Sequence, residues 1–314
     1  MAVDLIEEFL QKEKLYKENK FNVENQKCIK VAFAGVPNAG KSSLMNALIG
    51  EKISIVSPKV QTTRDIIRGI LIEGNTQVII IDTPGIFVPK DSRLLERKIV
   101  KTAWSGVKDA DVVFVIVDAS EGINKKVQTL IEVMKTKCEK INFILNKVDL
   151  VKKPKLLELA TKLQELYPNF DKLFMVSALD KTNLDKLKSY LIEIAPKGEW
   201  IFKDDEITDA PMKFLASEIT REKLFLKLKE DLPYSVDVET EKWEDFNNGD
   251  IKIQQVIKVF KESQKAIILG KNGSMLKEIN IQARKELEAF FNKKVHLFLF
   301  VQVNDKWINE KFSN

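Results

Sequence analysis

The chain has 314 residues, 44% of them apolar, and its 51 basic side chains outnumber 46 acidic ones to give a net charge of +5. This length suits two domains that each bury a core, the apolar content excludes wholesale disorder, and the charge is too small to mark a partner by itself. No apolar run approaches the roughly 18–20 residues of a membrane helix, the acid-bearing N-terminus does not read as a secretory signal, and the two cysteines, Cys28 and Cys138, read as reduced thiols of a cytosolic protein.

In chain order, residues 1–27 form a polar extension in which Leu5, Ile6, Phe9 and Leu10 fall on one helical stripe. A helix packed on the body, a loose arm and a membrane anchor are the alternatives for that stripe. From Lys30 the pattern changes. Five short runs rich in β-branched residues, IKVAFAG, QVIIIDTPG, DVVFVIVDAS, INFILNKVDL and LFMVSAL, alternate with helical spacing at Lys41–Leu48, Ser92–Trp104 and Lys155–Leu166. This alternation predicts an α/β domain over residues 28–196, with a mainly parallel sheet and helices on both faces. Ligands in such sheets bind at the carboxyl ends of the strands. The break at Ala195-Pro196-Lys197-Gly198-Glu199 and the acidic run at Asp204–Glu206 place a linker at 197–207. Residues 208–314 read as a second α/β domain. Its expected elements are a helix over about Ala210–Glu230, strands at Tyr234–Glu241 and Ile251–Phe260, a helix over Ser274–Phe291 and a strand at Val295–Val303. Between Lys252 and Lys294 stand ten basic and four acidic side chains, either a phosphate-backbone footprint or a solvated helix face.

The strand ends carry the chemistry. Gly35-Val36-Pro37-Asn38-Ala39-Gly40-Lys41-Ser42 fits G-x-x-x-x-G-K-[ST], follows a strand and opens a helix, and Ser43 continues it. Its backbone N–H groups and helix N-terminus suit phosphate oxygens. Lys41 is expected on the β- and γ-phosphates and Ser42 on Mg²⁺. Asp82-Thr83-Pro84-Gly85 ends the next apolar strand, where Asp82 can hold Mg²⁺ through water and the Gly85 N–H can meet the γ-phosphate. Asn146-Lys147-Val148-Asp149 sets the base. Guanine offers two parallel donors, N1–H and N2–H₂, that match the Asp149 carboxylate, whereas adenine would face it with a lone pair. Asn146 can brace the loops, the Lys147 stem can cover the base, and in Ser177-Ala178-Leu179 the Ala178 N–H can donate to guanine O6. Together these motifs predict a GTP/GDP site.

With these motifs in this order, residues 30–195 resemble the translation-factor-related GTPases, and more closely the Era family. Ser57-Pro58-Lys59-Val60-Gln61-Thr62-Thr63-Arg64 looks like the Era switch I, and the resemblance implies that Thr63 is a second Mg²⁺ ligand when GTP is bound. The position after Asp82–Gly85, where many GTPases carry a water-orienting Gln, is Ile86, so slow intrinsic hydrolysis is expected. In related GTPases with an Asn at this place in the P-loop, its amide oxygen helps hold a monovalent cation near the phosphates. Asn38 is therefore a candidate for recruiting K⁺, with a loop-bracing amide as the alternative. Lys41, Asn38 and Thr63 are the expected catalytic residues.

Further on, Gly270-Lys271-Asn272-Gly273 lies between the apolar Ile267–Leu269 and an amphipathic helix. A G-x-x-G turn in a helix–strand–strand–helix–turn–helix–strand order suits a type-II KH domain, which clamps a single nucleic-acid strand of about four nucleotides. Thr220-Arg221-Glu222-Lys223, Gly270–Gly273, Ala283-Arg284-Lys285 and Val295-His296-Leu297 resemble the Era C-terminal domain. That resemblance implies binding to the 3′ end of small-subunit ribosomal RNA during 30S maturation; a cytoplasmic monomer is expected, and peripheral contact with the inner membrane face is an alternative that Era-like proteins allow. Residues 1–27 and the short tail after Trp307 depart from it, as do Phe298 and Phe300, which share a strand phase with His296. His296 itself reads as a structural strand residue. A GTPase component of RNA modification and a membrane-surface signalling GTPase are the other readings, and no second catalytic site appears for the former.

Overall fold

A computed structural model of the chain describes residues 25–57, 59, 62–89, 94–229 and 232–311. The N-terminal stripe from Leu5 to Leu10 lies outside the described residues, as do Pro58, Val60 and Gln61 and the start of the helix expected from Ser92.

Strands β1 (Lys27–Ala34), β2 (Ile67–Glu73), β3 (Thr76–Asp82), β4 (Val112–Asp118), β5 (Asn142–Asn146) and β6 (Leu173–Met175) form one sheet in the order β2-β3-β1-β4-β5-β6. All neighbours run parallel except β2 and β3. Helices α1 (Lys41–Ile49), α2 (Leu94–Lys108), α3 (Lys125–Lys137), α4 (Lys153–Leu166) and α5 (Leu184–Ile194) cover both faces. Alternation along β1 explains the two layers. Ala32 and Ala34 join Ala103, Ile131 and Leu159 on one face, while Val31 and Phe33 join Leu44, Leu48 and Leu187 on the other. Every residue of β3 is buried, so its apolar run needs no polar alternation.

One strand of this sheet differs from the sequence expectation. Strand β2 is absent from the five expected runs because Arg68 and Gly69 interrupt its apolar pattern. Gly69 lets α1 pack close, since a Cβ would stand 2.1 Å from Ile49 Cδ1 and displace that side chain. The linker at 197–207 is fastened to the first domain. Its backbone bridges Lys27 through Lys197, Ile207 O accepts from Ile70 N at 2.9 Å, and Gln77 bonds Ile201 N and Phe202 N at 2.9 and 3.1 Å. The end of this segment, Ile207–Thr208, meets the open edge of β2 and satisfies the Ile70 N–H there.

The second domain comprises α6 (Met212–Lys227), β7 (Asp237–Asp245), β8 (Ile251–Val259), α7 (Glu262–Leu269), α8 (Ser274–Phe291), β9 (Val295–Val303) and α9 (Trp307–Lys311). Helix α6 starts after Pro211, whose fixed φ suits a first turn. β7 begins later than the expected Tyr234 because Leu232–Ser235 closes a short 3₁₀ turn. The three strands order β7-β8-β9, antiparallel then parallel. Ala216 and Ile219 of α6 pack with Ala283 and Leu287 of α8 beneath Ile253 and Leu297. After β9 the chain returns to the first domain, where Trp307, 1% exposed, packs on Leu95 and Ile99 of α2. Among the described residues, no helix is long and apolar enough to cross a membrane.

Candidate functional site

The carboxyl ends of β1, β3 and β5 face one cavity of about 280 Å³, lined by Asn38, Gly40, Lys41 and Ser42, by Thr62 and Thr63, and by Gly85 and Lys147. The turn between β1 and α1 forms because Gly40 holds φ 91°, where a Cβ would also lie 2.2 Å from Asn146 Nδ2. Gly35 is as constrained: its Cβ would meet Ile116 O at 2.7 Å. Val36, Pro37 and Ala39 complete the loop, with Ala39 N donating to Val36 O at 3.3 Å. Asn38 stands at φ 65°.

Lys41 is buried, and its Nζ donates to Gly35 O and Val36 O at 3.3 and 3.1 Å. Burial pushes its pKa down to about 8, with the Asp82 carboxylate opposing that shift. Burial pushes the Asp82 carboxyl up in turn, against Lys41 and the hydroxyls of Ser42 and Ser54. Ser42 Oγ lies 2.6 Å from Asp82 Oδ2 and 3.0 Å from Thr63 Oγ1, and Ser54 Oγ donates to Asp82 Oδ2 at 2.9 Å. Asp82 Oδ1 is buried without a hydrogen-bond partner. Two hydroxyls and a carboxylate with an unsatisfied oxygen are a hard-oxygen donor set of the kind Mg²⁺ takes. Ser43 lines the same cavity beside Ser42.

Around them, Thr83 Oγ1 donates to Phe33 O at 2.8 Å, and Gly85 passes so close to Pro37 that a Cβ would meet it at 2.7 Å. Pro84 between them is buried. Ile86 N donates to Gly35 O at 3.0 Å while its side chain enters the core, away from any water.

The end of the cavity at Asn146–Asp149 is built differently. Asn146 Nδ2 donates to Ala39 O at 3.1 Å, and its Oδ1 accepts from Ala178 N at 3.2 Å, so one amide joins the phosphate loop to the loop after β6. The Ala178 N–H is therefore engaged with Asn146 in this state. Lys147 takes φ 62° and its Nζ reaches Asn38 O at 3.1 Å and Asp118 Oδ2 at 2.6 Å. Val148 N donates to Val176 O at 3.2 Å, and Asp149 stands exposed at the rim. Ser177 Oγ accepts from Leu179 N at 3.2 Å, holding a loop whose Leu179 side chain is 84% exposed.

Sequence reasoning missed Ser54 and Asp118. Asp118 ends β4 beside the expected motifs, so its strand-end carboxylate was the available signal. Ser54 offered none, because only the folded path of residues 50–57 brings it under Asp82.

The G-x-x-G turn lies between α7 and α8. Gly270 has φ 69°, and a Cβ there would meet Met275 Cβ at 2.8 Å; Asn272 and Gly273 hold φ 52° and 75°. Lys271 and Asn272 are exposed, and Ile267, 52% exposed, stands before the turn. On β9, His296 Nε2 sits 2.9 Å from Asp250 Oδ2 and against Phe246, in keeping with a structural role.

Sheet order, phosphate loop, base loop and G-x-x-G turn define a P-loop GTPase joined to a KH domain. Comparison with known proteins agrees. A family described as 50S ribosome-binding GTPase matches residues 30–147, and the KH domain family matches residues 231–308. GTPase Era of Brucella suis is 52% identical over 280 residues, 89% of each chain. GTPase Era of Agrobacterium fabrum is 48% identical over 277 residues, 88% of this chain and 86% of its own. A crystal structure of Era with MgGDPNP and nucleotides 1506–1542 of 16S ribosomal RNA superposes with a TM-score of 0.86 at 36% identity, covering 90% of this chain and 96% of that one. A point variant of Aquifex aeolicus Era bound to GDP and AlF₄⁻ gives 0.85 at the same identity and coverage. The chain belongs to the Era GTPase family, and its first domain is a GTP-hydrolysing enzyme.

Proposed function

We propose that this protein is a GTP-controlled RNA-binding switch that engages the 3′ region of small-subunit ribosomal RNA during 30S maturation. The observation that carries it is the joining of the nucleotide cavity to an exposed G-x-x-G turn in a chain that follows Era over nearly its whole length, including the relative held with a 16S fragment. Crosslinking followed by RNA sequencing, with GTP and with GDP, should enrich the 3′ end of small-subunit RNA. No enrichment of any ribosomal RNA end would overturn the reading.

Within the site, Lys41 binds the β- and γ-phosphates, and the backbone N–H groups of Gly35–Ser43 surround them. Ser42 and Thr63 would hold Mg²⁺ and Asp82 would hold it through water, and the ion would offset charge on the phosphate oxygens. Asp149 reads the guanine edge. With Ile86 turned into the core, no side chain follows Gly85 to orient the attacking water, and intrinsic turnover is slow. Asn38, on the cavity wall, recruits K⁺ in support of hydrolysis. Equal rates in K⁺ and Na⁺ buffers, with Asn38→Ala silent, would remove that role. The protein acts as a cytoplasmic monomer that contacts the inner membrane face peripherally. Sedimentation with anionic vesicles, with and without residues 1–27, tests the last point, and equal recovery of both forms counts against an N-terminal contact.

A further inference from the structure

Thr63 reaches Ser42, yet the segment carrying it is held largely by the second domain. Arg221 of α6 is 0% exposed and donates from Nη2 to the Thr62 carbonyl at 2.6 Å, while its Nε donates to Glu218 Oε1 at 2.6 Å. On the other side of Thr63, Arg64 is buried and donates to Val236 O at 2.8 Å and Pro233 O at 3.1 Å, both in the second domain. Its guanidinium lies 5.5 Å from the Phe225 ring centroid and 5.7 Å from that of Trp307. Earlier in the segment, Glu222 Oε1 accepts from Val56 N at 2.9 Å, and Lys59 Nζ donates to Phe225 O and Leu228 O. Thr63 is therefore flanked on both sides by residues anchored outside its own domain.

The geometry points to Arg221 as a positioning residue for GTP hydrolysis: the KH domain supplies the side chain that fixes the Thr62 carbonyl and so sets Thr63 Oγ1 at the metal site. The inference rests on the reading of Thr63 as a Mg²⁺ ligand. A guanidinium suits the task because its rigid fork bonds Glu218 and the Thr62 carbonyl at once. An ammonium at this position keeps one bond and loses the fixed geometry. A small displacement of a ligand-bearing backbone is costly, because catalysis depends on the placement of the reacting groups.

The test compares Arg221→Lys, Glu218→Gln, Thr63→Ala and the double variant Arg221→Lys/Thr63→Ala in the full chain. Each is read by GDP affinity and by the Mg²⁺ dependence of single-turnover hydrolysis. Arg221→Lys should raise the Mg²⁺ concentration for half-maximal rate and lower the saturating rate by about tenfold each, with GDP affinity held within about twofold. Glu218→Gln, which keeps the volume but loosens Arg221, should shift both in the same direction by less, and it carries the test if Arg221→Lys fails to fold. The double variant should be no worse than Thr63→Ala, since one side chain acts through the other. Wild-type Mg²⁺ dependence in both single interface variants, or effects that add fully to Thr63→Ala, would overturn the inference. A silent Thr63→Ala would instead remove the metal-ligand reading beneath it.

Discussion

The two ends of the nucleotide cavity are held in opposite ways. The base end is self-contained: Asn146 ties Ala39 to Ala178, and Lys147 ties Asn38 to Asp118, all within the first domain. The metal end is partly borrowed, since the residues flanking Thr63 bond to α6 and to the segment before β7. Base selection can therefore be a property of one domain while the hydrolytic arrangement reports on two. A nucleotide site of this build can keep its ligand while its turnover depends on where the second domain sits.

The largest effect should come from the base end alone. Asp149→Asn should weaken GTP about a thousandfold and favour xanthine nucleotides, because a donor would then face the guanine donors in a site built to accept. Competition binding measures it, and unchanged guanine preference would mean that the base lies elsewhere. Next, Trp307→Ala removes a fully buried ring between α2, Phe260 and Arg64. It should cost about 3 kcal/mol in denaturant unfolding and slow hydrolysis, yet leave guanine-over-adenine selectivity alone. Lost selectivity would break the division between the two ends.

A third effect follows from Lys41, whose burial lowers its pKa to about 8. Bound phosphates favour the charged form, so nucleotide binding takes up a proton above that pH. Affinity should hold steady below pH 8 and fall by up to about tenfold per unit above it until the pKa of the complex is reached. Titration calorimetry in buffers of different ionisation enthalpy would show the proton uptake, and a flat affinity from pH 7 to pH 9.5 would contradict it. The smallest effect is at the domain junction's surface. Lys52 pairs with Glu222 at 2.7 Å and Glu286 at 2.5 Å but is 41% exposed, so Lys52→Ala should cost at most about 1 kcal/mol and less at high salt.

Much of the first domain was legible because its chemistry is local. Gly35–Ser42, Asp82–Gly85 and Asn146–Asp149 each occupy a few consecutive residues at the end of an apolar run, and the sheet then brings those ends together. The G-x-x-G turn was legible for the same reason. What the sequence hid depends on distance along the chain. Arg221 meets Thr62 across 159 positions, and Glu222 meets Val56 across 166. No spacing rule connects them, and within α6 both residues look like part of a charged helix surface. β2 escaped because a packing glycine and an arginine broke its run. The packing of the tail was likewise hidden by distance along the chain: Lys311 of α9 pairs with Asp65 of the first domain at 3.3 Å and with Asp237 of β7 at 2.9 Å.

The fastened linker limits how the borrowed contacts can be lost. Residues 197–208 are fastened to the first domain at Lys27 of β1, at Gln77 of β3 and at the edge of β2, and Asp209 is itself paired with Arg68 at 2.8 Å. Only residues 209–211 separate that anchor from α6, a reach of about 10 Å when fully extended. If the junction opens, α6 stays near switch I at an effective concentration in at least the millimolar range, as for a short flexible tether. A detached second domain added in trans at micromolar levels would not compete with it. Were the domains to part, the return of Arg221 to Thr62 would be an intramolecular event whose rate does not depend on protein concentration.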